Sequence, residues 1–511
     1  MFSVVNSSIV SGINVIPVSV ETDVSGGLPR FDIVGLADTS VSESRLRIRS
    51  ALKNSGYTFP AAKILVNLAP ADQPKEGSGL DLAIVVGILA SNGILPAKAL
   101  SELVFVGELG LNGDLKHTKA VLPIALEAVQ RKYKGIVLPS PNAGEASAVP
   151  NLDVYAFDNL KDIVESFKKS DISDKRVNKT SKKDFSGNQV TELIDMAAIK
   201  GQTSARRALE IAAAGSHNII FTGPPGSGKT MLARALPSIM PPLTFDEALD
   251  ITRIYSVKGL LPPGSGLLTA RPFRDPHHTI SDVALIGGGR IPVPGEVTLA
   301  HNGVLFLDEL PEFRRFVLEV LREPLTAGTV SISRASGASV FPANFLLAAA
   351  MNPCPCGFVT DPQRECICTR NQLARYKQKV SGPLLDRIDL QIHVPRLTPS
   401  ELAQKEAGES SETVRKRVLK AIEIQRSRTE CGGVLNGKLS SENLEKKCHL
   451  ESDAKALLLK AAERFLMSAR SYDKTVKIAR TIADLDEADS ITCLHVSEAL
   501  TFKTADLFSP L

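Results

Sequence analysis

The chain reads as an α/β protein in three parts, and three observations predict this. Ile219 to Phe221 is a short apolar run that passes through the glycine-rich turn Gly223-Pro224-Pro225-Gly226-Ser227-Gly228-Lys229-Thr230 into the helix-forming run Met231 to Leu236. Residues 1 to 168 alternate strand-like and helical runs, whereas residues 397 to 511 carry mostly helical patterning. The length of 511 residues, at about 150 per domain, agrees with three parts.

The turn Gly223 to Thr230 fits the pattern G-x-x-x-x-G-K-S/T in its proper strand-loop-helix setting. Such a loop is a phosphate cradle. Its glycines let backbone N–H groups converge on the phosphates, and the following helix directs the positive end of its dipole at them. Lys229 is expected to reach the β- and γ-phosphates of ATP or GTP, and the Thr230 hydroxyl to hold Mg²⁺. A surface turn rich in Gly and Pro would need neither the lysine nor the helix.

Composition excludes several classes. A hydrophobic content of 43% with 23% charged residues is that of a globular chain. The longest apolar run, Ala83 to Ala90, falls far short of the roughly 18 residues of a membrane span. Met1-Phe2-Ser3-Val4-Val5 lacks the basic start of an export signal, so a cytoplasmic protein is expected, with no membrane partner. A net charge of +4 permits nucleic-acid binding without demanding it. Seven cysteines, four of them clustered, point to metal chemistry in a reducing compartment rather than to disulfides.

Within residues 1 to 168, strands are expected at Ser3 to Val10, Val15 to Asp23 and Ile64 to Leu68. Helices are expected at Val41 to Leu52, Leu80 to Ala90 and Ala120 to Val129, with Ser40 and Glu43 as a capping box before the first. Pro74-Lys75-Glu76-Gly77-Ser78-Gly79 and Val106-Gly107-Glu108-Leu109-Gly110-Leu111-Asn112-Gly113, each ahead of a helix, resemble the Lon-protease-like domain. That family's catalytic serine and lysine positions align with Gly79 and Leu122, so the resemblance implies a proteolytically silent domain. Ser78 and Lys119 are near neighbours of those positions. Lys168 to Asp184, with seven Lys/Arg and three Asp, makes residues 169 to 189 a solvated basic linker first and a DNA-contacting strap second.

A nucleotide-binding α/β domain is expected over residues 190 to 396. It opens with Ile199-Lys200-Gly201-Gln202 ahead of the helix Ser204 to Ala214. Val304 to Leu307 leads into Asp308-Glu309, a buried parallel strand with carboxylates at its C-terminal edge. Asp308 would assist Mg²⁺ and Glu309 would polarise the attacking water. The apolar run Phe345 to Met351 ends on Asn352, where a polar side chain can sense the γ-phosphate or position water. Leu384-Leu385-Asp386-Arg387-Ile388-Asp389-Leu390 presents an arginine between acids.

Together these features resemble the AAA+ ATPases. Residues 256 to about 298, an insert beside the second helix, and Gly328 to Pro342, a hairpin pairing Val330 to Arg334 with Ser339 to Phe341, are placed as in the magnesium-chelatase and minichromosome-maintenance branch. That likeness implies that Arg387 is an arginine finger reaching a neighbouring subunit's γ-phosphate in a ring. Arg271-Pro272-Phe273-Arg274-Asp275-Pro276-His277-His278-Thr279 and Met351-Asn352-Pro353-Cys354-Pro355-Cys356-Gly357 narrow it to the magnesium-chelatase-like ComM/YifB family, over nearly the whole chain. What this implies is a hexameric motor that binds DNA, branched or single-stranded, and drives branch migration during recombination of incoming DNA in natural transformation.

Cys354-x-Cys356 and Cys366-x-Cys368 place four thiols in the loop 354 to 368, two clips that can fold into a tetrahedral S₄ site suited to Zn²⁺. The adjacent His277 and His278 are expected to diverge and to be structural or substrate-facing. Helices expected at Glu412 to Arg428, Asp453 to Phe465, Ala469 to Leu485 and Val496 to Phe502 fit the lid of an AAA+ protein. In the segment Ser468 to Arg480 the resemblance puts the second sensor of the phosphates at Lys477, with Arg480 three residues on along the same face. Arg334 on the hairpin is the candidate DNA contact. The alternatives to a DNA motor are a chelatase-type remodeller acting on a protein in metal insertion and, if the Ser–Lys dyad exists, an ATP-dependent protease.

Overall fold

The computed structural model describes residues 1–169, 171–180, 185, 194–289, 292–334, 337–361, 364–398, 408–428 and 434–502. Its N-terminal part is built on a seven-stranded sheet in the spatial order Arg30–Val34, Lys63–Ala69, Asn14–Ser25, Phe2–Ser11, Leu103–Phe105, Gly135–Pro139, Asp153–Phe157. Phe2–Ser11 and Asn14–Ser25 form a long antiparallel hairpin, and the strands from Leu103 to Phe157 run parallel. The expected strands are present and slightly longer. The short strands 103–105, 135–139 and 153–157 escaped the pattern, since Gly135–Pro139 is buried along its whole length and shows no alternation.

The helix Asp81–Ser91 lies entirely inside. Its buried Asp81 is held by the Arg47 guanidinium at 2.7 Å. The first helix, Thr39–Asn54, is capped by Asp38, whose carboxylate accepts from the Val41 N–H at 2.7 Å. This corrects the expected box: Ser40 already lies within the helix. The basic linker is not wholly solvated either. Arg176 bridges to Tyr155 on the sheet edge, and Arg176 and Lys179 both pair with Asp153, at 2.5 and 3.2 Å. Residues 181–184 and 186–190 lie outside the described residues.

The central part carries a five-stranded, all-parallel sheet in the order Phe273–Arg274, Val304–Leu307, Leu346–Met351, Ile219–Thr222, Leu390–His393. Successive side chains of one strand enter different cores, as a period of two requires. Leu346, Ala348 and Ala350 join the cluster that contains the helices Thr203–Gly215, Lys229–Ile239, Ser411–Ser427 and Ala469–Leu485. Leu347, Ala349 and Met351 join the opposite cluster with Ile254, Leu285, Val317 and Phe341. The C-terminal helices therefore share one core with a face of this sheet. The hairpin pairs Thr329–Arg334 with Gly337–Pro342 and brings Arg334 opposite Gly337, a tighter turn than expected.

The N-terminal part is plugged into the central one. The turn between its first two strands inserts Ile13 into the second cluster beside Phe341, a burial worth roughly 1.5–3 kcal/mol. Arg253 donates to the Ile13 carbonyl at 2.9 Å, and Ser256 donates to the buried Glu145 carboxylate at 2.6 Å. Both partners sit on the helix Phe245–Lys258. Among the described residues no helix is long and apolar enough to cross a membrane.

Candidate active site

The parallel register sets the site. Thr222, the last residue of its strand, pairs with Met351 on one side and His393 on the other. Chain leaving these strands therefore emerges at one end of the sheet, where Gly223 to Thr230, Asp308-Glu309 and Asn352 meet. Gly223 must be glycine, because a Cβ there would lie 2.1 Å from the Val394 carbonyl oxygen. Gly226 and Gly228 take φ of +76° and +91°, the left-handed region that turns the loop back into the helix Lys229–Ile239. The first-turn N–H groups of that helix have no intrahelical acceptor and face the loop.

Lys229 Nζ donates to the carbonyls of Gly223 (2.8 Å) and Pro224 (2.9 Å) and to Asn352 Oδ1 (3.2 Å). Burial lowers its pKa to about 8, against the opposing pull of Asp308. Thr230 Oγ1 donates to Asp308 Oδ2 at 2.8 Å, which places a hydroxyl and a carboxylate side by side as a hard-cation site requires. Ser227 Oγ and Thr222 Oγ1 are buried without a hydrogen-bond partner. A loop of converging N–H groups, a lysine, a Thr–Asp oxygen pair and an unsatisfied hydroxyl together fit Mg²⁺-ATP.

Glu309 occupies a left-handed conformation, φ +53°, and its exposed side chain meets His278, with Nδ1 to Oε2 at 3.5 Å. The two histidines do not diverge as expected. Their rings lie together at 4.1 Å, His277 Nδ1 pairs with Thr279 Oγ1 at 2.9 Å, and the pair flanks the carboxylate end of the site.

Arg387 lies at the other end of the sheet. It precedes Leu390, which pairs with Ile219, the first residue of the cradle strand. Its guanidinium is held by the carbonyls of Arg322 (3.2 Å) and Pro383 (2.7 Å) and by Thr326 Oγ1 (3.0 Å). Burial, Arg470 and Arg322 lower its pKa, against the opposing pull of Asp386 and Glu319; three arginines thus share one face, with Arg322 paired to Glu319 at 2.6 Å. Arg470 was missed by the sequence reading. The available signal was that Arg470, Lys474 and Lys477 follow one another along one helical face at spacings of four and three.

The expected second sensors are placed differently. Arg480 is fully buried and donates to Asp484 Oδ1 at 3.1 Å, to the Asp489 carbonyl at 2.7 Å and to the Ala488 carbonyl. Its acceptors lie on its own helix and in the turn that follows, so it fastens the end of Ala469–Leu485 and does not face the cradle. Lys477 lies in the charge field of Asp389 and Asp473. Lys474 bonds the Ile388 carbonyl at 3.0 Å and pairs with Asp389 at 3.3 Å. This helix thus meets the Arg387 end of the sheet, away from its own cradle.

The four cysteine sulfurs lie within 4.8 Å of one another. Cys354–Cys356, Cys356–Cys366 and Cys354–Cys366 are separated by 3.4, 3.5 and 3.8 Å, close to the ~3.8 Å edge of a tetrahedron with metal–sulfur bonds of ~2.3 Å. In the N-terminal part, Ser78 Oγ donates to Glu108, while the Lys119 stem lies against Gly259 and Leu122 is fully buried. Among the described residues no serine–lysine hydrogen bond forms there. Arg334 ends its hairpin strand; its side chain and residues 335–336 lie outside the described residues.

Comparison with known proteins matches these parts in order. The family described as magnesium chelatase, subunit ChlI, matches residues 195–402. Subunit ChlI of Mg-chelatase matches 20–142, and the ChlI C-terminal family matches 408–503. Competence protein ComM of Haemophilus influenzae is 43% identical over 98% of this chain and 97% of its own length. The YifB protein of Escherichia coli is 40% identical over 99% of this chain and 97% of its own. The magnesium-chelatase 67 kDa subunit of Heliobacterium mobile is 26% identical over 31% of this chain and 28% of its own. With its cradle, its paired carboxylates and a relative aligned from end to end, the chain belongs to the magnesium-chelatase-like ComM/YifB family of AAA+ ATPases.

Proposed function

We propose that the protein is an ATP-hydrolysing ring motor that binds DNA, branched or single-stranded, and promotes branch migration or helicase-type remodelling during recombination of incoming DNA. The observation that carries the ring is the separation of Arg387 from the cradle of its own chain by the length of the sheet, beside Arg470 and an Arg322 that pairs with Glu319. Three arginines in excess over the nearby Glu319 and Asp386 can take up a further anion, and the γ-phosphate on a neighbouring subunit supplies one. A hexamer is the expected closed form. The DNA substrate is supported by the likeness to a protein named for competence.

In this reading Gly223 to Thr230 hold the phosphates of ATP. Lys229 turns from its backbone acceptors to the γ-phosphate, and Asn352 faces the same oxygens. Mg²⁺, held by Thr230 and Asp308, would neutralise charge between the phosphates. Glu309 polarises the attacking water once it leaves His278. Arg387 and Arg470 stabilise charge across the subunit boundary, Arg470 taking the sensing role first assigned to Lys477 and Arg480. The hairpin carrying Arg334 moves along a central channel, gripping phosphates without reading sequence. Residues 1 to 168 act as a silent Lon-like domain, 169 to 189 as its linker, 190 to 396 as the ATPase, and 397 to 511 as the helical lid. The Cys354, Cys356, Cys366 and Cys368 sulfurs hold Zn²⁺.

The partial likeness to a magnesium-chelatase subunit keeps one alternative, a remodeller acting on a protein during metal insertion. ATP hydrolysis with and without branched DNA, in wild type and Glu309→Gln, separates the two. Stimulation by DNA in the wild type alone is expected; turnover indifferent to DNA but stimulated by a protein partner would refute the DNA reading.

A further inference from the structure

The four-cysteine loop stands directly against the nucleotide cradle, and both of its ends return to one residue. On the leading side, Cys354 is two residues past Asn352, the side chain that accepts from Lys229. On the trailing side, Cys368 runs into Thr369, which caps the helix Arg370–Lys379. From that helix Tyr376 donates to the Asn352 carbonyl at 3.0 Å.

Between these ends, Gly357 donates its N–H to Cys354 Sγ at 3.2 Å and to the Cys354 carbonyl at 3.0 Å. Its φ is +87°, and a Cβ on it would fall 2.5 Å from Pro225 Cδ. A bare backbone, held by an amide-to-sulfur bond, is thus pressed onto the ring of a cradle residue. Little apolar burial closes this loop. Of its described residues only Cys354, Gly357 and Asp361 are buried, and Ile367 is 85% exposed. A loop so poor in core depends on its ligand for a fixed shape.

We propose that the four-cysteine knot is the rear wall of the nucleotide cradle, so that metal occupancy of these thiols sets the affinity of the neighbouring site for ATP. The inference rests on the zinc reading above. Metal fixes Cys354 Sγ, the sulfur fixes the Gly357 amide, and Gly357 fixes Pro225. Metal also joins the two ends of the clip that orient Asn352 toward Lys229. Gly357 and Tyr376 are positioning residues: neither touches the phosphates. Zinc availability would then govern how much of the protein is competent to bind ATP, apart from any effect on folding as a whole.

The test measures binding of a fluorescent ATP analogue to the full chain, together with zinc content and the thermal unfolding midpoint. Wild type as loaded, wild type stripped by chelator, Cys366→Ser, Gly357→Ala and Tyr376→Phe are compared. Chelation and Cys366→Ser are expected to weaken ATP binding at least tenfold while the bulk unfolding midpoint moves little, with re-addition of zinc restoring the stripped wild type alone. Gly357→Ala should retain a wild-type zinc content yet weaken binding by a similar factor, raising KM more than it lowers kcat. Tyr376→Phe should act in the same direction by a smaller factor. Stripped protein that binds ATP as tightly as loaded protein overturns the inference and leaves the zinc reading standing. A wild type that takes up no zinc overturns the zinc reading and the inference with it.

Discussion

The separation of Arg387 from its own cradle makes a quantitative prediction about mixed assemblies. Lys229→Ala removes the cradle cation and Arg387→Ala removes the cation at the far end of the sheet. The cradle strand runs four residues from Ile219 to Thr222, ~13 Å at ~3.3 Å per residue, and Arg387 is fastened beyond its start by Arg322, Thr326 and Pro383. Each variant alone should lose turnover by about 10³-fold or more, the usual worth of an arginine finger. Mixed in equal amounts and allowed to exchange, the two should regain activity. A working boundary needs its cradle from an Arg387→Ala subunit and its finger from a Lys229→Ala subunit, an arrangement found at about one boundary in four when the ring is filled at random. Phosphate release near a quarter of the wild-type rate is therefore expected, with less if neighbouring sites must fire together. If Arg387 served its own cradle, every subunit in the mixture would be defective. Turnover no higher than in the separate variants, with co-assembly verified by native mass measurement, refutes the shared site.

Three further outcomes follow from individual groups. Because burial brings Lys229 down to about 8, ATP affinity should be flat near neutrality and fall above pH 8 by up to about tenfold per unit, as the free protein loses the proton that the phosphates require; a flat binding titration to pH 9.5 contradicts this. His301 is buried neutral, its Nδ1 accepting the Asn344 N–H at 3.0 Å, and burial lowers its pKa to about 4. Its contribution is complete above the unfolded value near 6.5 and is lost as pH falls toward 4, so urea unfolding should show up to about 3 kcal/mol of acid sensitivity that His301→Gln lacks. Arg480→Met, which leaves the buried Asp484 with Arg428 as its cation and Asn436 as a further donor, should cost about 1–3 kcal/mol of stability, whereas Arg470→Ala should leave the unfolding midpoint in place and lower turnover at least tenfold; the reverse pattern would return the sensing role to Arg480.

Local chemistry determined the cradle. A strand, a turn that needs glycine at left-handed positions and a helix beginning on Lys-Thr are set by residues adjacent in the chain, and so were legible before any fold was known. The same holds for Asp308-Glu309 and Asn352, since an apolar run that ends in a polar residue marks the edge of a buried parallel strand. The clustering of the four cysteines was legible for the same reason, two short clips a short loop apart.

Tertiary structure decided what helical periodicity leaves open. Periodicity places Lys477 and Arg480 on one face of the helix Ala469–Leu485, but it does not say which end of the sheet that helix meets. Packing against Asp389 and Ile388 carried it to the Arg387 end, buried Arg480 among the C-terminal helices and left Arg470 beside Arg387. The close approach of His277 to His278, the seating of Ile13 beneath the hairpin and the contact of Gly357 with Pro225 join residues far apart in sequence or depend on a backbone path that composition does not encode. The physical reason is common to all of them. Residue type states what a side chain can do, while the register of the parallel sheet states where it stands, and in this protein that register sets the cradle and Arg387 at opposite ends of the chain's own core.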